Sequence, residues 1–148
     1  MVHLRNFCME DASTLYGQNR FQMSLDAIQD MISEWNTKTW NNRYFEMFAV
    51  TNGREIIGRL SLYEHSGSVV SIGPEIFAER RQQGHACQAM ETAIAMAKAK
   101  GYQIAFQQVR TDNIASRKLH AKLGFETDGY VYKNQKGRDV LIFLKALA

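Results

Sequence analysis

Residues 76–86 read IFAERRQQGHA: two apolar residues that close a strand, a polar turn, and a run that opens a helix. Within them Arg81, Gly84 and Ala86 have the spacing R-x-x-G-x-A. A helix start exposes backbone N–H groups that lack intrahelical partners, together with the positive end of the helix dipole. Gly84 removes a side chain so that a pyrophosphate can reach that backbone, and Ala86 keeps the next contact small. Arg80 and Arg81 add positive charge. Taken alone the signal is weak, because a glycine at a helix start is more often simply a turn.

Downstream, Gly84–Lys100 carries Ala86, Met90, Ala93, Ile94 and Ala97 as one apolar stripe at helical spacing, with Gly101 as its stop. Tyr102–Val109 reads as a strand. Asn113 is placed to cap a helix that buries Ile114, Ala115, Leu119 and Leu123 and ends at Gly124. Phe125–Lys133 and Asp139–Lys145 follow as an expected antiparallel pair around Asn134–Gly137. Upstream, Val69–Phe77 is a strand in which Gly73-Pro74 predicts a bulge or a local splitting of the sheet. Tyr44–Val50 and Glu55–Tyr63 form a hairpin joined at Asn52-Gly53. Helices over Asp11–Gly17 and Ser24–Trp35 and an opening strand at Val2–Phe7 complete the order β-α-α-β-β-β-α-β-α-β-β. That order is a mixed sheet flanked by helices.

The chain has 148 residues, the length of one domain over 1–148, and is large enough for a single substantial core. Its 45% hydrophobic and 11% aromatic content argues against disorder. No apolar run reaches the roughly 18–20 residues that span a bilayer. The opening MVHLRNFCMEDAS lacks the pattern of a secretory signal. Cys8 and Cys87 cannot build a disulfide framework, so the cytoplasm is the expected location. A net charge of +3 without a Lys/Arg block suits an anionic small ligand at least as well as a nucleic acid. Scattered basic residues and no evident stacking platform weigh against nucleic acid as a partner.

Residues 113–125 read NIASRKLHAKLGF. The two segments together, R-x-x-G-x-A and then N-x-x-S-x-x-L-x-x-K-L-G-F one strand later, resemble the two signature motifs of the GNAT acetyltransferase superfamily. The likeness in element order extends over nearly the whole chain. The resemblance implies an α/β (α+β) fold: a mixed, mostly antiparallel seven-stranded sheet flanked by about four helices, with a splayed central parallel pair. It implies acetyl-coenzyme A as cosubstrate and transfer of its acetyl group to a primary amine by direct attack in a ternary complex. The pantetheine arm would lie beside Glu75, Ile76 and Phe77, between that strand and Tyr102–Val109. The turn of Arg81, Gln82, Gln83, Gly84, His85 and Ala86 would hold the pyrophosphate. Asn113 and Ser116 occupy the second-motif positions that meet the arm or support the loop around it; a plain N-cap and a small packed residue are the alternatives.

The departure from the family pattern is His120, which stands where a tyrosine usually assists the departing thiolate. An imidazole also donates a hydrogen bond, and its ordinary pKa of about 6.5 lies nearer neutrality than a phenol's. A packed, hydrogen-bonded core histidine is the alternative. A protonated amine must lose a proton before attack, and Glu75 is the best-placed carboxylate for that work, followed by Glu64. Each taken singly reads more simply as a surface glutamate. Cys87 reads as a small packed residue. The four histidines lack tight ligand spacing, so no metal is inferred. Trp35, Trp40, Tyr44 and Phe45 are core by default, with some lining an amine pocket if the preceding helices form the acceptor wall. The competing class is a GNAT-like domain that binds acyl-coenzyme A without turnover. The acceptor's identity, and whether the final strand pair makes a homodimer, are open at this level.

Overall fold

Met47, Phe48, Ala49 and Val50 divide between two cores, and with them the molecule divides into two layers on one sheet. Met47 and Ala49 join Ala12, Leu15, Ile28 and Ile32, whereas Phe48 and Val50 join Ala89, Met90, Ala93 and Ala97. This is strand alternation at work, each residue facing opposite to the last. The computed structural model of the chain describes residues 1–147. In chain order it has β1 (Val2–Asn6), α1 (Met9–Gly17), a 3₁₀ turn (Arg20–Gln22), α2 (Leu25–Trp35), β2 (Thr39–Trp40), β3 (Arg43–Asn52), β4 (Glu55–Ser66) and β5 (Val69–Ile76). A second 3₁₀ turn (Ala78–Arg80), α3 (His85–Ala99), β6 (Ile104–Arg110), α4 (Ile114–Lys122), β7 (Tyr132–Lys133) and β8 (Asp139–Ala146) follow.

The sheet runs β1-β3-β4-β5-β6-β8-β7, with the two-residue β2 paired to β3 as an eighth strand. All pairs are antiparallel except β5–β6. α1 and α2 cover one face and α3 the other, where Leu119 and Leu123 of α4 also pack. In α2, Ile28 and Ile32 are fully buried while Asp26, Asp30 and Glu34 face water. Each such aliphatic burial contributes about 1.5–3 kcal/mol. The acidic residues of α2 thus form its solvated side. No described helix is long and apolar enough to cross a membrane.

Two elements differ from the sequence expectation. The first hairpin turns on Gly53-Arg54, because Asn52 is still paired, to Glu55. The expected strand Phe125–Lys133 is reduced to a single bridge, Glu126↔Leu144, and the short β7. Between them Thr127 Oγ1 accepts from Gly129 N–H at 3.2 Å and Asp128 Oδ1 from Tyr130 N–H at 2.8 Å. These local bonds compete with a ladder and bend the chain away from β8.

Asp11 fastens α1 to the sheet. Arg5 donates to both its carboxylate oxygens, at 2.8 and 3.0 Å, and Cys8 N–H to Oδ2 at 2.8 Å. Burial pushes the Asp11 carboxyl up, but the bonds from Arg5 and Cys8 outweigh it and hold the group below its ordinary value. Stability from a carboxyl held low is complete above the unfolded pKa of about 3.9 and is lost as pH falls through the lower folded value. Asp11→Asn is therefore expected to cost about 1–2 kcal/mol at pH 7. Urea titrations should show that difference shrinking below about pH 4.

Candidate active site

β5 runs beside β6 for three steps only: Val69↔Ile104, Val70↔Ala105 and Ser71↔Phe106. Beyond them β5 stays on β4 as far as Ile76, and β6 stays on β8 as far as Arg110. The two strands part, and their facing edges are left without a ladder. The irregularity expected at Gly73-Pro74 takes this form, since the register between β4 and β5 is unbroken from Gly58 to Glu64. Antiparallel alternation decides which β5 groups face the gap. Phe77 N–H donates to Ile57 O at 2.8 Å, so Phe77 and Glu75 turn their backbone to β4 and Ile72, Pro74 and Ile76 turn theirs to the gap. Pro74 has no N–H, and Ile76 O already accepts from Arg81 Nε at 2.8 Å. The edge therefore presents the N–H of Ile76 and the carbonyls of Ile72 and Pro74, the N–H of Ile72 closing the last ladder step, Ser71↔Phe106. Phe77 has both backbone groups engaged, its carbonyl by Arg80 N–H at 2.8 Å.

The polar turn follows at once. Gln82 (φ +62°) and Gly84 (φ +81°) both adopt left-handed backbone. For glycine that conformation carries no steric cost; for glutamine it is local strain of the kind that collects at functional turns. The turn aims the chain into α3, whose first capping bond runs from Gln88 N–H to Gly84 O. Among the described residues, the N–H groups of Gln82 through Cys87 have no backbone acceptor. His85 bonds Gln83 Oε1 through Nε2 at 3.1 Å, and its Nδ1 is shielded and unpartnered. Six N–H groups without backbone acceptors, a helix dipole and Arg81 are donors of the kind that an anion accepts from.

Asn113 caps α4, its Oδ1 accepting from Ser116 N–H at 3.1 Å. His120, 1% exposed, lies one turn further on, against Phe125 and Phe143. Its Nδ1 stands 2.8 Å from Ser116 O, and Ser116 Oγ lies 3.3 Å from the same nitrogen. A carbonyl can only accept, so Nδ1 carries the hydrogen and Nε2 holds a lone pair, buried without a partner. Burial pushes the ring below its ordinary pKa, with the Ser116 bond acting the other way. The ring is therefore neutral near pH 7.

On the opposite face a cleft of about 500 Å³ is lined by Asn19, Arg20, Phe21, Glu75, Phe77 and Arg81, among others. Glu75 is exposed and accepts from Arg59 Nε at 3.0 Å. Arg59 lies over the ring of Phe21, 4.5 Å from its centroid, and Arg20 over that of Phe77 at 3.9 Å. Arg20 also pairs with Glu79, whose carboxyl that bond lowers to about 2. The link between α1 and α2 is thereby fastened to the turn after β5. Asn19, Phe21 and Gln22 all have positive φ, and the sequence signals this only at Asn19. Glu64 lies on the other face of the sheet and accepts from Tyr102 O–H at 2.8 Å. The thiol of Cys87 is pushed up by burial and by Glu91. The aromatics expected as one cluster separate: Tyr44 stacks on Tyr102, Trp35 lies tilted against Phe7, and Phe45 and the exposed Trp40 lie by Tyr63.

The sequence profile of the acetyltransferase (GNAT) domain matches residues 2–126. No curated protein sequence matches the chain. Among solved structures, the microcin C7 self-immunity acetyltransferase MccE, bound to acetyl-CoA and AMP, is similar at 19% identity and TM-score 0.82, covering 98% of this chain and 92% of that one. RimL, the ribosomal L7/L12 α-N-protein acetyltransferase, in complex with coenzyme A, is similar at 16% identity and TM-score 0.84, with 98% and 93% covered. Spermidine N-acetyltransferase from Vibrio cholerae, with CoA and spermine, is similar at 16% identity and TM-score 0.79, with 99% and 95% covered. At these identities the likeness is one of fold.

Proposed function

The chain belongs to the acetyltransferase (GNAT) domain family, and from that premise we propose that it transfers the acetyl group of acetyl-coenzyme A to a primary amine by direct attack in a ternary complex. The observation that carries this reading is the parted β5–β6 pair with the open N–H groups of Gln82–Cys87 directly after it. The donor set fits the coenzyme: a linear amide arm for the β5 edge, and a diphosphate for the helix start. In this reading Ile72, Pro74 and Ile76 bind the arm through backbone groups, and Arg81, Gln82, Gln83, Gly84, His85 and Ala86 hold the pyrophosphate. Asn113 and Ser116 fix the first turn of α4 beside the arm. The coenzyme supplies the activated acyl group; the protein positions it, excludes water and manages protons.

The amine enters from the face of α1 and α2. Glu75 meets the incoming ammonium with Oε2, Oε1 being engaged by Arg59. In this reading His120 stands at the sulfur, where the family resemblance implies it. With Nε2 as an acceptor, it holds the thiol product by its S–H, because acid work would need the imidazolium that burial disfavours. An acceptor screen that follows thiol release tests the proposal, with polyamines, peptide N-termini and small amines as candidates. At least one amine is expected to accelerate release well above the hydrolytic background. His120→Phe is expected to lower that rate less than about tenfold, below the range typical of a general acid. If coenzyme A binds but no amine accelerates release, the chain is an acyl-coenzyme A binding domain without turnover.

A further inference from the structure

α1 and α2 cover only part of their face of the sheet. Tyr63 and His65 of β4, Ser71 of β5 and Phe106 of β6 remain half-exposed there. His65 Nε2 lies 3.1 Å from Ser71 Oγ. The imidazole is held between two aromatic edges, with ring centroids 4.9 Å from Tyr63 and 4.5 Å from Phe106. Ser71↔Phe106 is also the last paired step before β5 and β6 part. The His65–Ser71 pair therefore stands at the closed end of the gap, on the side from which the amine enters. Ser71, Gly73 and Glu75 alternate onto that same face. Gly73 lies between the other two, each about 6.6 Å away along the strand, with Ser61 Oγ and Gln107 Nε2 bordering the space above it.

We propose that His65, through Ser71, takes the proton of the acceptor amine; this rests on the acetyl-transfer reading. An ammonium nitrogen over Gly73 passes one proton to Ser71 Oγ as the serine hydroxyl proton moves to His65 Nε2, leaving an imidazolium. The freed lone pair forms the bond to the acyl carbon, the carbon–sulfur bond breaks, and its electron pair leaves with sulfur. The nitrogen's second proton accompanies the thiolate, and His65 returns its proton to water. Nothing is oxidised or reduced.

The surroundings suit a base. Burial and the nearby Arg43 push the ring below its ordinary pKa, and in the Nδ1–H tautomer Nε2 accepts from the Ser71 hydroxyl. Tyr63 and Phe106 flank it without charge. Glu64, next in the chain, faces away and is engaged by Tyr102. Glu75, on the other side of Gly73, is tied to Arg59.

The test takes the best amine from the screen and measures the rate against pH for the wild type, His65→Gln and Ser71→Ala, with coenzyme A affinity by calorimetry as a second readout. His65→Gln is expected to lower kcat about 100-fold or more at pH 7. Coenzyme affinity should stay within about twofold. The acidic limb of the pH profile should be lost, and added imidazole should restore part of the rate. Ser71→Ala leaves the ring in place and is expected to lower kcat more than tenfold, which keeps the test decisive if His65→Gln does not fold. A wild type that no amine accelerates overturns both readings. A wild type that turns over, with variants that keep its rate and its acidic limb, overturns the assignment of His65 and Ser71 alone.

Discussion

Gly58→Ala is expected to lower the melting temperature by about 2–12 °C and to weaken coenzyme binding at the same time. A Cβ built at Gly58 stands 2.3 Å from Glu75 O and 2.9 Å from Ile76 Cα. Both are main-chain atoms, so no rotamer change relieves the contact; β5 itself must move. Overpacking of this kind costs about 1–3 kcal/mol, and more where the backbone is the obstacle. For a chain of this size each kcal/mol shifts the midpoint by about 2–4 °C. The displaced segment includes Ile76, whose N–H faces the gap and whose carbonyl holds Arg81. Differential scanning calorimetry with and without coenzyme A separates the effects: the variant should gain less from saturating ligand than the wild type. Equal gains would mean that β5 tolerates the shift without loss of the site.

Arg81→Ala is expected to weaken coenzyme A binding about 10- to 100-fold in titration calorimetry. The side chain has two tasks. Its Nε donates to Ile76 O, which closes the turn on the end of β5. Its remaining guanidinium donors add charge at the start of α3. Loss of a charge-assisted bond costs about 1.5–3 kcal/mol, which is that range of affinity. Arg81→Lys should recover little, since an ammonium lacks the Nε donor and the planar fork. Raising the salt concentration should narrow the gap between wild type and Arg81→Ala, because part of the effect is screened charge.

Much of this architecture is legible in the residues. The stripe in α3, the cap at Asn113 and the glycines at 84, 101 and 124 each state a local conformation that packing then accepts. Gly73-Pro74 indicates that the sheet is disturbed, yet not that the disturbance parts β5 from β6; that depends on β6 following β8, which is a long-range pairing. The turn into α3 is marked at Gly84 by the glycine of R-x-x-G-x-A, whereas the positive φ of Gln82 has no sign in the sequence. The tautomer of His120 is not, because it depends on the Ser116 carbonyl and on Phe125 and Phe143 closing around the ring. His65 has no local signal at all. Its neighbours Ser71 and Phe106 come from two other strands, and only the register brings them to one point. Arg20, Arg59 and Phe21 belong to the same class: their stacking partners lie tens of residues away, and no spacing rule connects them.

Pro74 sits between Ile72 and Ile76 on the edge that faces the gap. For β5 and β6 to close upon each other, the parallel ladder would have to run through that position, where there is no N–H to continue it. The vacancy between the strands is thus written into the covalent chain. A ligand entering it need not break an existing ladder first. Binding free energy that would otherwise be consumed in prying strands apart is conserved for orientation, the general advantage of a pre-organised receptor.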